Sequence, residues 1–171
     1  MEFYCVMVKT GEEETFKKAA EEELSESFPE CKFYSFQRKL RTNQGKVFDA
    51  PLFPGYAFFC IDLLNQKFIE EIKKVRGFYR ILYDNNNPVK LYGKALEEMQ
   101  LFIRNGEHWG ISRLQFLPGK TIRAISGPLV GLEGKIIAVN KKKKRVTVQS
   151  TLLEDGKRFD LLYEDAEICE V

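Results

Sequence analysis

The sequence predicts an α+β chain in two parts: helices packed on a mainly antiparallel sheet, then a small all-β barrel. Three observations predict it. Helical and strand periodicities alternate through the N-terminal part. From Pro118 onward the chain carries only short strand-like runs separated by turn signals. Between the two, residues 105–117 lose periodicity, with Gly106 and Gly110 bracketing His108 and Trp109.

The elements follow in order. Phe3 to Val8 is apolar and partly β-branched, an opening strand broken by Lys9-Thr10-Gly11. From Glu12 to Phe28 the residues are strong helix formers, with Phe16, Ala19, Ala20, Leu24 and Phe28 on one apolar face. Glu12-Glu13-Glu14 suit the positive end of that helix, and Pro29 stops it. Cys31 to Leu40 returns to strand composition. Arg38, Lys39, Arg41 and Lys46 then surround Thr42-Asn43-Gln44-Gly45, the tip of a long basic hairpin that returns through Val47 to Ala50. A second helix over Leu64 to Val75 places Phe68, Ile69, Ile72 and Val75 at helical spacing and ends at Gly77. Phe78 to Tyr83 is a strand, Asp84 to Pro88 a turn, and Gly93 to Ile103 a third helix. This order is close to a ferredoxin-like sandwich. Beyond it, Lys120–Ile125, Lys135–Val139, Arg145–Ser150, Arg158–Leu162 and Ala166–Glu170 read as five strands of an SH3-like barrel.

The stretch Pro51-Leu52-Phe53-Pro54-Gly55-Tyr56-Ala57-Phe58-Phe59 organises the N-terminal part. Its prolines fix φ and remove donors, so it cannot begin as a central strand. After Gly55, Tyr56 to Ile61 is almost wholly apolar, which suits a strand buried on both faces. A stiff arm feeding aromatics into such a strand leaves some at its edge, where a protein partner finds anchors. The bland alternative is a rigid turn whose aromatics all go inside.

Composition narrows the function. With 44% hydrophobic and 13% aromatic side chains, 171 residues can build a core, so global disorder is excluded. The net charge of +2 is too small to argue for nucleic acid by itself. Its distribution is more informative: residues 1–117 hold 17 basic and 17 acidic side chains, residues 118–171 hold 10 and 8. Half of the barrel's cations sit in the run Lys141-Lys142-Lys143-Lys144-Arg145. A concentrated cationic turn binds phosphates and releases counterions even at modest net charge. Its bland alternative is a lysine-rich turn that discourages edge pairing. Cys5, Cys31, Cys60 and Cys169 lack C-x-x-C spacing and read as reduced core residues, with no metal site or disulfide framework. No glycine-rich phosphate loop or nucleophile–base pairing stands out, so no catalytic residue, enzymatic activity or cofactor is expected. Without a signal peptide or an apolar run near the ~20 residues of a bilayer span, the chain is expected to be cytoplasmic, monomeric and free of membranes.

Three features together resemble the NusG family of transcription elongation factors, with an NGN domain followed by a KOW domain. They are Phe3-Tyr4-Cys5-Val6 with Thr10-Gly11-Glu12, the Phe53-Pro54-Gly55-Tyr56 segment, and Gly127-Pro128-Leu129-Val130-Gly131-Leu132-Glu133-Gly134. The resemblance implies an NGN domain over 1–104, a linker over 105–117 and a KOW domain over 118–171. It also implies docking on the clamp helices of the largest subunit of RNA polymerase, with Phe3, Tyr4, Phe53, Pro54 and Tyr56 as the matching residues. Lys73, Lys74, Arg76 and Arg80 fall where relatives face non-template DNA. The short apolar linker, the basic hairpin before Pro51 and the lysine turn resemble specialised antiterminators of the RfaH and LoaP kinds. The lysine turn leans toward the LoaP kind, which implies contact of Lys141, Lys142, Lys143, Lys144 and Arg145 with a nascent RNA hairpin. The alternatives within the resemblance are a general NusG-type factor and a barrel that recruits a ribosomal protein or termination factor. A ribosome-associated KOW protein is the alternative from another class. Some relatives hold the KOW segment as a helical hairpin. Here Val139, Val146, Thr147, Val148 and Thr151 are β-branched and glycines interrupt any long helix, so a barrel is expected.

Overall fold

In the computed structural model, which describes residues 1–82, 87–153 and 156–167, the chain divides by packing into two units. One comprises residues 1–36 and 53–96, the other residues 37–52 and 97–171. This division differs from the domains drawn on the sequence, because residues 37–52 pack with the C-terminal part.

The first unit is built on β1 (Glu2–Val8), β2 (Lys32–Tyr34), β5 (Tyr56–Ile61) and β6 (Phe78–Ile81), in the order β2-β5-β1-β6 with every pairing antiparallel. Strand side chains alternate between faces. Tyr4, Val6 and Val8 therefore join Ala57, Phe59 and Ile61 on one face, beneath α1 (Glu13–Leu24) and α2 (Gln66–Ile72). Phe16, Ala20 and Leu24 of α1 and Phe68, Ile69 and Ile72 of α2 complete this core. Its aromatics meet in preferred geometries: Tyr4 stacks on Phe59 at 5.3 Å, and Phe28 meets Phe68 edge-on at 5.1 Å. Asn65 caps α2, its side chain accepting from the Phe68 N–H at 2.9 Å.

Glu13 ties the proline-rich arm to this core. It is buried at the start of α1, and its Oε1 accepts from the backbone N–H of Gly11 at 3.0 Å and of Gly55 at 2.7 Å. Gly55 takes φ +83° and its carbonyl accepts from Val8 N–H at 2.9 Å; a Cβ there would lie 3.1 Å from Thr10 Oγ1. The arm is thus pinned at both backbone polar groups of Gly55.

The second unit contains two sheets. β3 (Gln37–Arg41) and β4 (Val47–Pro51) form the basic hairpin, and β3 also pairs parallel with β7 (His108–Trp109). The expected single strand from Cys31 to Leu40 is therefore two strands, β2 and β3, which belong to different sheets. The barrel sheet runs β10-β11-β12-β8-β9, from β8 (Ser112–Leu117), β9 (Thr121–Ser126), β10 (Ile136–Asn140), β11 (Arg145–Gln149) and β12 (Arg158–Asp165). β8 lies in the stretch read as a linker, and it pairs parallel with β12. The strand expected over Ala166–Glu170 does not form at Ala166 and Glu167; Ile168, Cys169 and Glu170 lie outside the described residues. Cys5 and Cys60 are buried, and burial pushes the Cys31 thiol up to about 12.

Two devices hold the second unit together. Gly127, at φ +89°, lets its backbone approach β8 so closely that a Cβ would lie 2.6 Å from Ser112 Cα. Ser112 Oγ in turn accepts from Leu129 N–H at 3.0 Å, and Leu129 and Leu132 are fully buried. The other device is Glu98 of α3 (Gly93–Asn105), a helix that begins in the first unit and ends in the second. Glu98 is buried, ion-paired with Lys135 at 2.9 Å, and accepts from Ser150 Oγ, Thr151 N–H and Thr151 Oγ1 at 2.7–2.9 Å. Near it, Phe102 meets Trp109 edge-on at 4.6 Å, and Trp109 Nε1 donates to the Gly106 carbonyl at 2.7 Å.

Gly127→Ala is expected to destabilise the protein by about 2–4 kcal/mol, through backbone strain and the contact with Ser112 together. Glu98→Ala is expected to cost about 3–5 kcal/mol, because Lys135 and three donors lose their acceptor. Denaturant unfolding of each variant against wild type measures both losses.

Candidate functional site

The alternation that sends Tyr4 to the helices sends Phe3, Cys5 and Met7 to the opposite face of the sheet. The register pairs them with Cys60, Phe58 and Tyr56. That face carries a continuous aromatic ladder. Phe3 lies 6.4 Å from Tyr34, Tyr34 stacks on Phe36, Phe36 lies 5.9 Å from Phe58, and Phe53 meets Phe58 edge-on at 5.7 Å. Phe36, Phe53 and Phe58 are buried, Phe3 and Tyr56 are half-buried, and Pro54 is exposed.

The five residues matched to the polymerase-docking pattern therefore separate. Phe3, Phe53 and Tyr56 share one face, beside the exposed Pro54. Tyr4 does not belong with them: it is part of the helix-side core. Its hydroxyl donates to Glu2 Oε2 at 2.9 Å, and burial, then that bond, raise it to about 12. Tyr34, Phe36 and Phe58 join the ladder without having been singled out. The signal for Phe58 was its even spacing from Tyr56; the position of Tyr34 depends on how β2 pairs with β5.

Lys73, Lys74, Arg76 and Arg80 are all exposed: Lys73 is the C-cap of α2, Lys74 and Arg76 lie in the turn that follows, and Arg80 is in β6. Lys74 pairs with Glu71 at 2.9 Å, which raises its affinity for its proton, and Arg80 Nε donates to Met7 Sδ at 3.1 Å. Tyr79, 59% exposed, stands among these cations and was not marked by its sequence context, a short strand with aromatics on either side.

The β10–β11 turn resolves the lysine run into two sets. Asn140 Oδ1 accepts from Lys143 N–H at 3.0 Å and Lys144 takes φ +52°, so the turn is tight. Lys141 Nζ sits 4.7 Å above the Phe116 ring. Lys144 Nζ lies 5.7 Å from the Tyr163 ring centre and pairs with Asp165, a bond that raises its pKa. These two cations lean on the barrel's own aromatics. Lys142 and Lys143 are exposed, and Arg145 is half-buried.

Comparison with known proteins follows the same outline. The model of the NusG family, described as transcription termination factor nusG, matches residues 1–100, and the KOW motif matches residues 118–149. The fold and these two matches define a two-module chain, an NGN-type α/β sandwich with a KOW barrel. The chain belongs to the NusG family of transcription factors. It is similar to the transcription termination/antitermination protein NusG of Helicobacter pylori strain J99, at 21% identity over 98% of both chains. The NusG of Helicobacter pylori strain 26695 is 20% identical, again over 98% of both. The solved structure of Thermotoga maritima NusG aligns with a TM-score of 0.57 at 17% identity, over 94% of this chain and 93% of that one, which shows the shared fold. Among the described residues no helix is long and apolar enough to cross a membrane.

Phe53→Ala is expected to cost about 3–5 kcal/mol of stability, as truncation of a buried ring does, and Tyr56→Ala less than half as much. Urea unfolding of the two variants checks the difference, and equal losses would make Tyr56 a core residue.

Proposed function

We propose that this NusG-family protein is a specialised antiterminator that rides on transcribing RNA polymerase and contacts the nascent RNA. The observation that carries the reading is the sheet face that bears half-buried Phe3 and Tyr56, with exposed Pro54 beside it, over a buried aromatic ladder. Rings held by a packed sheet lose little entropy on docking, so such a face suits an apolar partner surface. The partner is the clamp helices of the polymerase's largest subunit. A factor that binds only the closed clamp shifts the equilibrium toward closure. Pausing and termination are suppressed without any covalent step. Lys73, Lys74, Arg76 and Arg80 face the non-template strand, with Tyr79 available for base stacking.

The basic turn from Lys141 to Arg145 contacts an RNA hairpin, in the manner of LoaP-type paralogs. An A-form helix is recognised through backbone and shape, which suits a cationic turn better than a reading helix. A general, housekeeping role is the second reading, favoured by the end-to-end match to the curated NusG proteins.

A purified transcription assay on a terminator template tests the proposal. Adding the protein is expected to raise read-through, and more so when the transcript carries its leader RNA hairpin. Tyr56→Ala is expected to remove most of the effect. A protein that leaves elongation unchanged overturns the proposal, and read-through that ignores the leader favours the general role.

A further inference from the structure

Two β-turns, remote in sequence, line one cleft in the second unit. A cavity of about 250 Å³ lies between the β3–β4 hairpin tip and the β10–β11 turn. Arg41, Asn43 and Gly45 border it from the hairpin, and Lys142, Lys143 and Arg145 from the barrel. Arg145 joins the two walls, its Nη2 donating to the Arg41 carbonyl at 3.0 Å. The bond uses the Arg41 backbone and leaves the Arg41 side chain to line the cleft.

The charge there is one-sided. Among the described residues four cations line the cavity and no carboxylate does. Neighbouring cations outside it are neutralised, Lys39 by Asp49 and Lys144 by Asp165. Past Arg145 the cationic surface continues into a second cavity of about 210 Å³, bordered by Arg38 and Arg158 with Asp160 as the one acid among the described residues. Arg38 Nη1 donates to the Asp160 carbonyl at 2.8 Å. Burial lowers the Arg38 pKa; the charge of Asp160 opposes this, and the charge of Arg145, a smaller effect, adds to it. The buried Nε atoms of Arg38 and Arg145 have no hydrogen-bond partner among the described residues. Like charges gathered around an open cleft repel one another, and buried donors without acceptors cost free energy. A polyanion in the cleft relieves the repulsion.

We infer that the tip of the β3–β4 hairpin and the β10–β11 turn form a single RNA phosphate-binding cleft, in which Arg41 acts jointly with Lys142, Lys143 and Arg145. The inference rests on the proposed RNA contact of the lysine turn and adds to it a second wall from a separate sheet. It also sorts the lysine run: Lys142 and Lys143 meet phosphate, while Lys141 and Lys144 brace the turn against Phe116 and Tyr163. RNA is favoured over an acidic protein because cations on two opposed turns match the repeated charges of a folded backbone.

The test uses the full chain, a fluorescein-labelled RNA stem-loop and anisotropy titrations over a range of salt. Arg41→Gln is expected to lower the salt slope by about 1 and Lys142→Gln with Lys143→Gln by about 2, with affinity falling on the order of tenfold per charge removed. Arg41→Lys is expected to restore most of the slope, and Arg123→Gln, an equal charge loss on β9, to leave it unchanged. Arg41→Gln combined with Lys143→Gln is expected to lose less than the sum of the single losses. If the lysine substitutions flatten the slope while Arg41→Gln does not, the shared cleft is wrong and the simpler RNA contact stands. If neither substitution changes the slope, the RNA contact falls as well. Polyglutamate of matched charge displacing the RNA at equal concentration would overturn RNA as the occupant.

Discussion

A carboxylate taken out of water persists only where donors converge on it, and both units of this protein are arranged around one. In the first unit Glu13 gathers the N–H groups of Gly11 and Gly55, so the start of α1 and the proline-rich arm are set by the same atom. The helix N-terminus favours its charge. In the second unit Glu98 gathers Lys135, Ser150 and Thr151. The segments held in this way lie far apart in the chain. Removing the carboxylate would release them from each other while leaving each locally intact.

The position of the arm determines which aromatics are left for a partner. Pro51 ends β4 and Tyr56 begins β5, so the residues between them form the passage from one unit to the other. With Gly55 fixed, β5 enters the sheet in a register that places Tyr56 and Phe58 on the same face as Phe3. A slip of one residue would exchange this face for the helix-side core. The proposed docking face is therefore a consequence of strand register, and its rigidity comes from the buried rings of Phe36, Phe53 and Phe58.

In the second unit the charge layout follows the packing. The hairpin and the barrel turn are both basic, and the structure brings them to one cleft through Arg145. Cations that are not needed there are used locally, over aromatic rings or in ion pairs with Asp49 and Asp165. The segment from Gly127 to Gly134 serves the fold: Gly127 permits the close approach to Ser112, and Leu129 and Leu132 are fully buried.

The sequence by itself determined the helices, whose apolar faces recur at three and four residues, and the buried strand from Tyr56 to Ile61. It also determined the turns marked by glycine and proline, the all-β character of the C-terminal part and the family resemblance. These are local properties, legible because a side chain's spacing along the chain sets its face. The tertiary structure alone decided that Cys31–Leu40 splits between two sheets, and that β8 leaves the linker to pair with β12. It alone decided that Tyr4 turns inward, and that Lys142 and Lys143 rather than Lys141 and Lys144 line a cleft with Arg41. Each of these depends on a partner strand or turn distant in sequence, and no local periodicity records which distant partner a segment will meet.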